Sequence, residues 1–142
     1  MRLAFAIGLG ILCATPALAD SLPMDAPISI DGLETVCTGI GGTRDDPRWL
    51  AYPVRIEFSN SAAQYLAGAH VTLSDAKGKL LADVDCAGTW LLFKLDPGTY
   101  VVRASLTGQS ATKPRSTTFK LTGREAKQKR IVLQFSDIAP NR

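Results

Sequence analysis

The chain is poor in the side chains that usually carry chemistry. It contains one histidine, His70, three cysteines and no Cys-x-x-Cys pair in 142 residues. Zinc centres need several His or Cys ligands, and the cysteines left after the leader are expected to be bridged, so a zinc site is not expected. A Ser-His-Asp relay needs its base between a hydroxyl and a carboxylate. The nearest serine, Ser74, lies four residues along the same predicted strand, roughly 13 Å away. No EF-hand-like spacing of carboxylates is present for calcium. Gly39-Ile40-Gly41-Gly42 lacks the Gly-Lys-Ser/Thr ending and the helix that a phosphate-cradling loop requires. No apolar run approaches the roughly 20 residues that a spanning helix needs. Asp83 and Asp85 fall on one face of a predicted strand about 7 Å apart, within the glycosidase range, but nothing around them in the sequence builds a substrate cleft. The chain is therefore expected to be no enzyme and to carry no cofactor or metal.

The N-terminus reads as a signal peptide over residues 1–19. Arg2 supplies a positive start, Leu3 to Ala14 an apolar core, and Ala17-Leu18-Ala19 a small-x-small cleavage site before Asp20. Cys13 follows Leu12, where a lipobox would place a small residue. The expected mature product is periplasmic or secreted, has no transmembrane segment, and is 142 − 19 = 123 residues long, enough for one self-standing domain. Cleavage removes Cys13 and leaves Cys37 and Cys86, an even pair in an oxidising compartment. A disulfide is expected, two buried thiols being the alternative. The formal charge of +3 falls to +2 without Arg2 and is unevenly spread. Residues 20–60 carry seven acids against Arg44, Arg48 and Arg55, whereas from Lys113 onward eight basic residues face Glu125 and Asp137. Such asymmetry suits an anionic partner, although solvated strand faces are the commoner reason for it. Nucleic acid is not expected for an exported chain.

From Tyr52 onward, short runs of period two are cut by turn residues about every ten positions, which predicts an all-β, two-sheet antiparallel sandwich, Ig-like or prealbumin-like, of about seven strands. Val54, Ile56 and Phe58 alternate with Arg55, Glu57 and Ser59, giving one buried and one wet face. Val71 and Leu73 point inward opposite His70, Thr72 and Ser74. Asp75-Ala76-Lys77-Gly78 is a tight hairpin connection and Asp96-Pro97-Gly98 a turn. Tyr100, Val102, Ala104 and Leu106 share a face, as do Thr117, Phe119 and Leu121, and then Ile131, Leu133 and Phe135. The predicted organisation is a leader and irregular segment over 20–50, a sandwich over 51–136 and a tail over 137–142. Within the irregular part, Ile28 to Ile30 and Leu33 to Cys37 suggest short edge segments. Asp46 before Pro47 predicts one helical turn through Leu50.

Residues Tyr65 to about Leu121 resemble the carboxypeptidase regulatory-like domain, a transthyretin-like sandwich. The residues that carry the likeness are Gly68-Ala69 ahead of a strand, the Asp75 to Gly78 hairpin, Gly88-x-Trp90-x-Leu92 with Leu95, and Pro97-Gly98-x-Tyr100. Gly39-Ile40-Gly41, Asp45-Asp46 and Tyr65-Leu66-Ala67-Gly68-Ala69 are also similar to a group of small exported bacterial proteins made of little but this domain. In the larger family the domain is a folding or binding accessory beside a catalytic or outer-membrane partner. Bare alternation leaves open which of Trp90, Leu91, Leu92 and Phe93 face the core; the family pattern implies Trp90 and Leu92. The transthyretin-like enzyme family, 5-hydroxyisourate hydrolase, relies on more than one histidine, an arginine and a terminal Tyr-Arg-Gly-Ser. This chain has His70 alone and ends Asp137-Ile138-Ala139-Pro140-Asn141-Arg142, so that activity is not carried over.

Trp49, flanked by Arg44 and Arg48 in the irregular segment, is the candidate for contacting a ligand, by stacking on a sugar or capping a peptide. The plainer reading makes it a lid, with Leu50 and Tyr52, over one open end of the sandwich. The function expected from the sequence is a noncatalytic exported module that binds or stabilises an envelope protein or glycan. The alternatives are a small hydrolase that would recruit His70, Asp83 or Asp85, and a strand-donating or strand-accepting assembly protein.

Overall fold

The computed structural model describes residues 18–108 and 113–140. Most of the expected leader, including Cys13, lies outside them, as do four residues of the polar loop after Thr107 and the last two of the tail. Ten strands are present: β1 (Asp20–Ser21), β2 (Ile28–Ile30), β3 (Leu33–Thr38), β4 (Val54–Ser59), β5 (Ala69–Asp75), β6 (Leu80–Cys86), β7 (Trp90–Phe93), β8 (Gly98–Leu106), β9 (Arg115–Leu121) and β10 (Lys129–Gln134). They form two five-stranded sheets, β1-β6-β5-β8-β9 (sheet A) and β10-β4-β7-β3-β2 (sheet B). The all-β two-sheet sandwich is thus the observed fold, with two corrections. Ten strands replace about seven, because the stretch over 20–50 contributes three of its own. The sheets are also mixed, since β1 runs parallel to β6 and β10 parallel to β4. Strands brought alongside by a hairpin must be antiparallel, whereas these two arrive by long connections that leave either direction open.

The inner faces follow the alternation. Val54, Ile56 and Phe58 of β4 meet Val71 and Leu73 of β5 and Val102 of β8, all fully buried. β3 lies between β7 and β2, inside its sheet and not at an edge. Its Cys37 faces sheet A and bonds Cys86 at the end of β6, with an S–S distance of 2.03 Å. Apart from this bridge, Leu22 seals the same flank, following β1 into the core. On the opposite flank β9 and β10 are tied by Arg115 Nε donating to Gln134 O at 2.9 Å and Lys129 Nζ to Lys120 O at 2.8 Å. The bridged flank is less complete. β1 pairs only with Val84 and Asp85, so among the described residues Leu80 to Asp83 have β5 on one side and no strand on the other, and Leu80 is 53% exposed.

The outer face of sheet B carries a partial third layer. Two short 3₁₀ helices, Gly41–Asp45 and Pro47–Ala51, fold across it. The second starts as expected: Asp46 Oδ1 accepts from the Arg48 N–H at 2.9 Å, with Pro47 at the first position. This face overturns two expectations. The outward side of β4 is not wet: Glu57 and Ser59 are buried, with Tyr65 bridged to Ser59, and with Tyr65 and Arg130 on the Glu57 carboxylate. On β7, Leu91 and Phe93 enter the core between the sheets, while Leu92 joins Val36, Trp49 and Tyr52 in a second, outer cluster. The family-derived placement of Trp90 and Leu92 inside the sandwich is therefore reversed. All four residues are buried, since β7 is covered on both sides.

Candidate functional site

Trp49 is spent on packing. Its ring is 3% exposed against Val36, Leu92 and Tyr52, and its Nε1–H donates to Thr43 O at 2.7 Å. It roofs the face of sheet B and does not lid an end, and Leu50, expected to share that task, is instead 72% exposed. Arg48 lies over the Trp49 ring at 4.9 Å and pairs with Asp46 at 2.8 Å. Hydrogen bonds from Arg48 hold the Asp46 carboxyl below its ordinary pKa. Neither side chain of this pair stands free for a ligand. Arg44 has left that group: its guanidinium donates to Gly39 O at 3.0 Å and lies over both Tyr65 at 4.7 Å and Trp90 at 5.5 Å.

Arg44 thereby joins a cluster that the sequence did not reveal. Register places Glu57 of β4 beside Trp90 of β7 on the outer face, with Arg55 two residues back and Arg130 of β10 aligned with Arg55. Glu57 has no exposed surface. It accepts hydrogen bonds from Tyr65 OH at 2.7 Å, from Arg130 Nη2 at 3.3 Å and from Arg130 Nε, while Arg55 Nη2 stands 3.5 Å away. The Glu57 carboxylate in turn raises the Arg130 pKa. Arg55 lies over Trp90, its Cζ 4.0 Å from the ring centre, and Tyr65 meets Trp90 edge-on at 5.9 Å. Two guanidinium groups, those of Arg55 and Arg130, thus share one buried carboxylate, and a third, that of Arg44, stands over the neighbouring rings. Two N–H groups in the cluster, Arg55 Nε and Trp90 Nε1, are buried with no partner. The signal in the sequence was an Arg-x-Glu on a strand whose outer face was assumed wet.

Arg55 also forms part of a cleft of about 610 Å³ between the second 3₁₀ helix and the connection from β9 to β10, with Leu50, Pro53, Ala126 and Lys127 around it. Gln128 pins the two walls together by donating to Trp49 O at 2.7 Å and Tyr52 O at 2.9 Å. Glu125 also lines the cleft, but its carboxylate is held below its usual pKa by the backbone N–H of Thr122, 2.6 Å away, and it also accepts from Gly123 N–H.

On sheet A, His70 stands between two carboxylates, Nδ1 2.9 Å from Asp85 Oδ1 and Nε2 3.1 Å from Asp83 Oδ1. Asp83 Oδ1 is buried and accepts no hydrogen bond there. Register sets Ser105 of β8 directly opposite His70, a cross-strand neighbour invisible to spacing along one strand. A relay would need the second imidazole nitrogen free to take a hydroxyl proton. In the structure Asp83 Oδ1 stands 3.1 Å from that nitrogen, and the trio links β5 to β6. Among the described residues, no group of three or more His, Cys, Asp or Glu is arranged to hold a metal ion, and no helix is long and apolar enough to cross a membrane.

No family model matches the chain, and no curated protein matches it.

Proposed function

We propose that this chain is a noncatalytic exported β-sandwich module that binds or stabilises an envelope protein or glycan, working in the periplasm or outside the cell after cleavage near Ala19. The observation that carries the proposal is the outer face of sheet B. There an Arg44–Arg55–Arg130 cluster around Trp90 and Tyr65 holds more positive charge than Glu57 balances, and it opens into a cleft. Such a rigid, cationic, aromatic-backed surface suits recognition, since arginine and aromatic side chains dominate binding hot spots. The resemblance to the carboxypeptidase regulatory-like domain supports the same role, that of an accessory. Immobilised mature protein should retain an envelope component that high salt releases, and Arg55→Glu should abolish the retention. Retention unchanged by either would remove this face from the function.

A second reading, as a strand-accepting interaction protein, is favoured by the uncovered stretch Leu80 to Asp83 of β6. A short bare strand edge beside an apolar wall is where a partner strand adds. Asp83→Pro should then weaken the partner's binding and leave the fold intact.

A further inference from the structure

We propose that the cleft beside Arg55 takes an acidic, aliphatic peptide segment, its carboxylate on Arg55 and Lys127 and its neighbouring aliphatic side chain on Leu50. The inference rests on reading the chain as a binding module and adds the chemistry of the ligand. Charge chooses the acid. Two guanidiniums, those of Arg55 and Arg130, meet the single carboxylate of Glu57, and Arg55 is the one of the two that also lines the cleft. Its place over Trp90, 4.0 Å from the ring centre, holds the guanidinium before any ligand arrives, which lowers the ordering cost of a contact with a carboxylate. Lys127, exposed on the opposite wall, adds a second cation, while the Glu125 charge is held by backbone N–H groups of its own turn.

The apolar part of the cleft argues for peptide over sugar. A sugar site offers an open aromatic plane, but the two rings nearest this cleft, Trp49 and Tyr52, are each 3% exposed. Leu50, in contrast, is 72% exposed at the rim, backed by Pro53 and Ala126. A lone leucine held out on a pinned 3₁₀ helix beside two cations complements an aliphatic side chain next to an acid. It contributes nothing to the second core, whose members are Val36, Trp49, Tyr52 and Leu92.

The test is fluorescence anisotropy of the mature protein with three labelled probes: a peptide alternating Glu and Leu, its Gln and Leu counterpart, and an oligogalacturonate. The Glu–Leu peptide should bind roughly tenfold more tightly than the Gln–Leu peptide at low salt, and Arg55→Gln should remove that preference. Arg55 touches the buried cluster, so Lys127→Glu and Leu50→Asp, both at exposed positions, serve as independent variants. Each should weaken the Glu–Leu peptide severalfold with an unchanged melting temperature. Equal binding of the two peptides, indifference to both exposed variants, or a preference for the oligogalacturonate would overturn the proposal. Retention of envelope material separates this from the wider reading. If wild type and the Lys127→Glu/Leu50→Asp double variant retain material equally, the cleft is wrong and the module reading stands; if neither retains any, the module reading falls as well.

Discussion

The carboxylate of Glu57 is held by Arg130, Arg55 and the Tyr65 hydroxyl while none of its own surface reaches water. Removing one partner from such an arrangement strands the others, and truncating a buried ion pair typically costs about 3–5 kcal/mol. Arg130 is 56% exposed, so water can replace part of what it loses, and Glu57→Ala should destabilise by roughly 2–3 kcal/mol. Tyr65→Phe should cost less, since it removes one donor and strands no charge. Urea unfolding at neutral pH measures both, and equal losses would show that the carboxylate is not the centre of the cluster. A second carboxylate gives a pH test. Glu34 accepts from the Tyr52 hydroxyl at 2.6 Å, and that bond, with Lys94 behind it, lowers its pKa, while burial raises that of Tyr52. A carboxyl with a folded pKa below its unfolded one stabilises the fold above the unfolded value and ceases to do so as pH falls through the folded one. Wild type should therefore exceed Glu34→Gln in urea midpoint at neutral pH, and the gap should close by about pH 3. A gap of the same size at both pH values would assign the effect to shape and not to charge.

Among the elements, β4, β5, β8, β9 and β10 were legible because each has one buried and one open or polar side, and period two reports that difference directly. β7 was not. Trp90-Leu91-Leu92-Phe93 is an unbroken apolar run, and such a run is what a strand covered on both faces looks like. Taken at face value it announced a third layer, whereas a family pattern supposing one buried face chose the wrong pair. What covers β7 could not be read, since the 3₁₀ segments reach it through isolated contacts, Trp49 packing with Leu92 and Arg44 lying over Trp90, that leave no periodic trace. The Arg55, Glu57 and Trp90 cluster was missed for the same reason: its members come from different strands and meet only through register. The cysteines were legible because an even pair remained after cleavage, and they join β3 of one sheet to β6 of the other. Closing a loop of 49 residues should contribute about 4 kcal/mol by restricting the unfolded chain. Reductant, or the Cys37→Ala/Cys86→Ala pair, should lower unfolding stability by about that amount. A loss well under about 1 kcal/mol would mean that the unfolded chain is already compact without the bridge.

For the molecule as a whole the two flanks are unequal, and that inequality should govern how it opens. One flank is closed by side chains reaching between β9 and β10, where Arg115 also grips Ser136 and Asp137 beyond the strand end. The other depends on the disulfide, on Leu22 and on two short strands, β1 of two residues and β2 of three. Short strands with one neighbour gain few hydrogen bonds against the entropy of ordering them, about 1–2 kcal/mol for each backbone residue fixed. Local opening draws on such regions first, and the most central strands exchange only with global unfolding. Amide exchange should accordingly be slowest in β5 and β8 of sheet A and β4 and β7 of sheet B, fastest in β1 and β2, and intermediate in β10, which is an edge strand but is paired along its whole length with β4. Reduction should speed exchange in the central strands by lowering the global stability. It should in addition bring β3 and the end of β6 towards the fast class, more than β9 and β10, because the covalent link closes only the flank opposite those two. Uniform acceleration across both sheets on reduction would instead mean that the bridge acts on the unfolded chain alone and that the two flanks open as one unit.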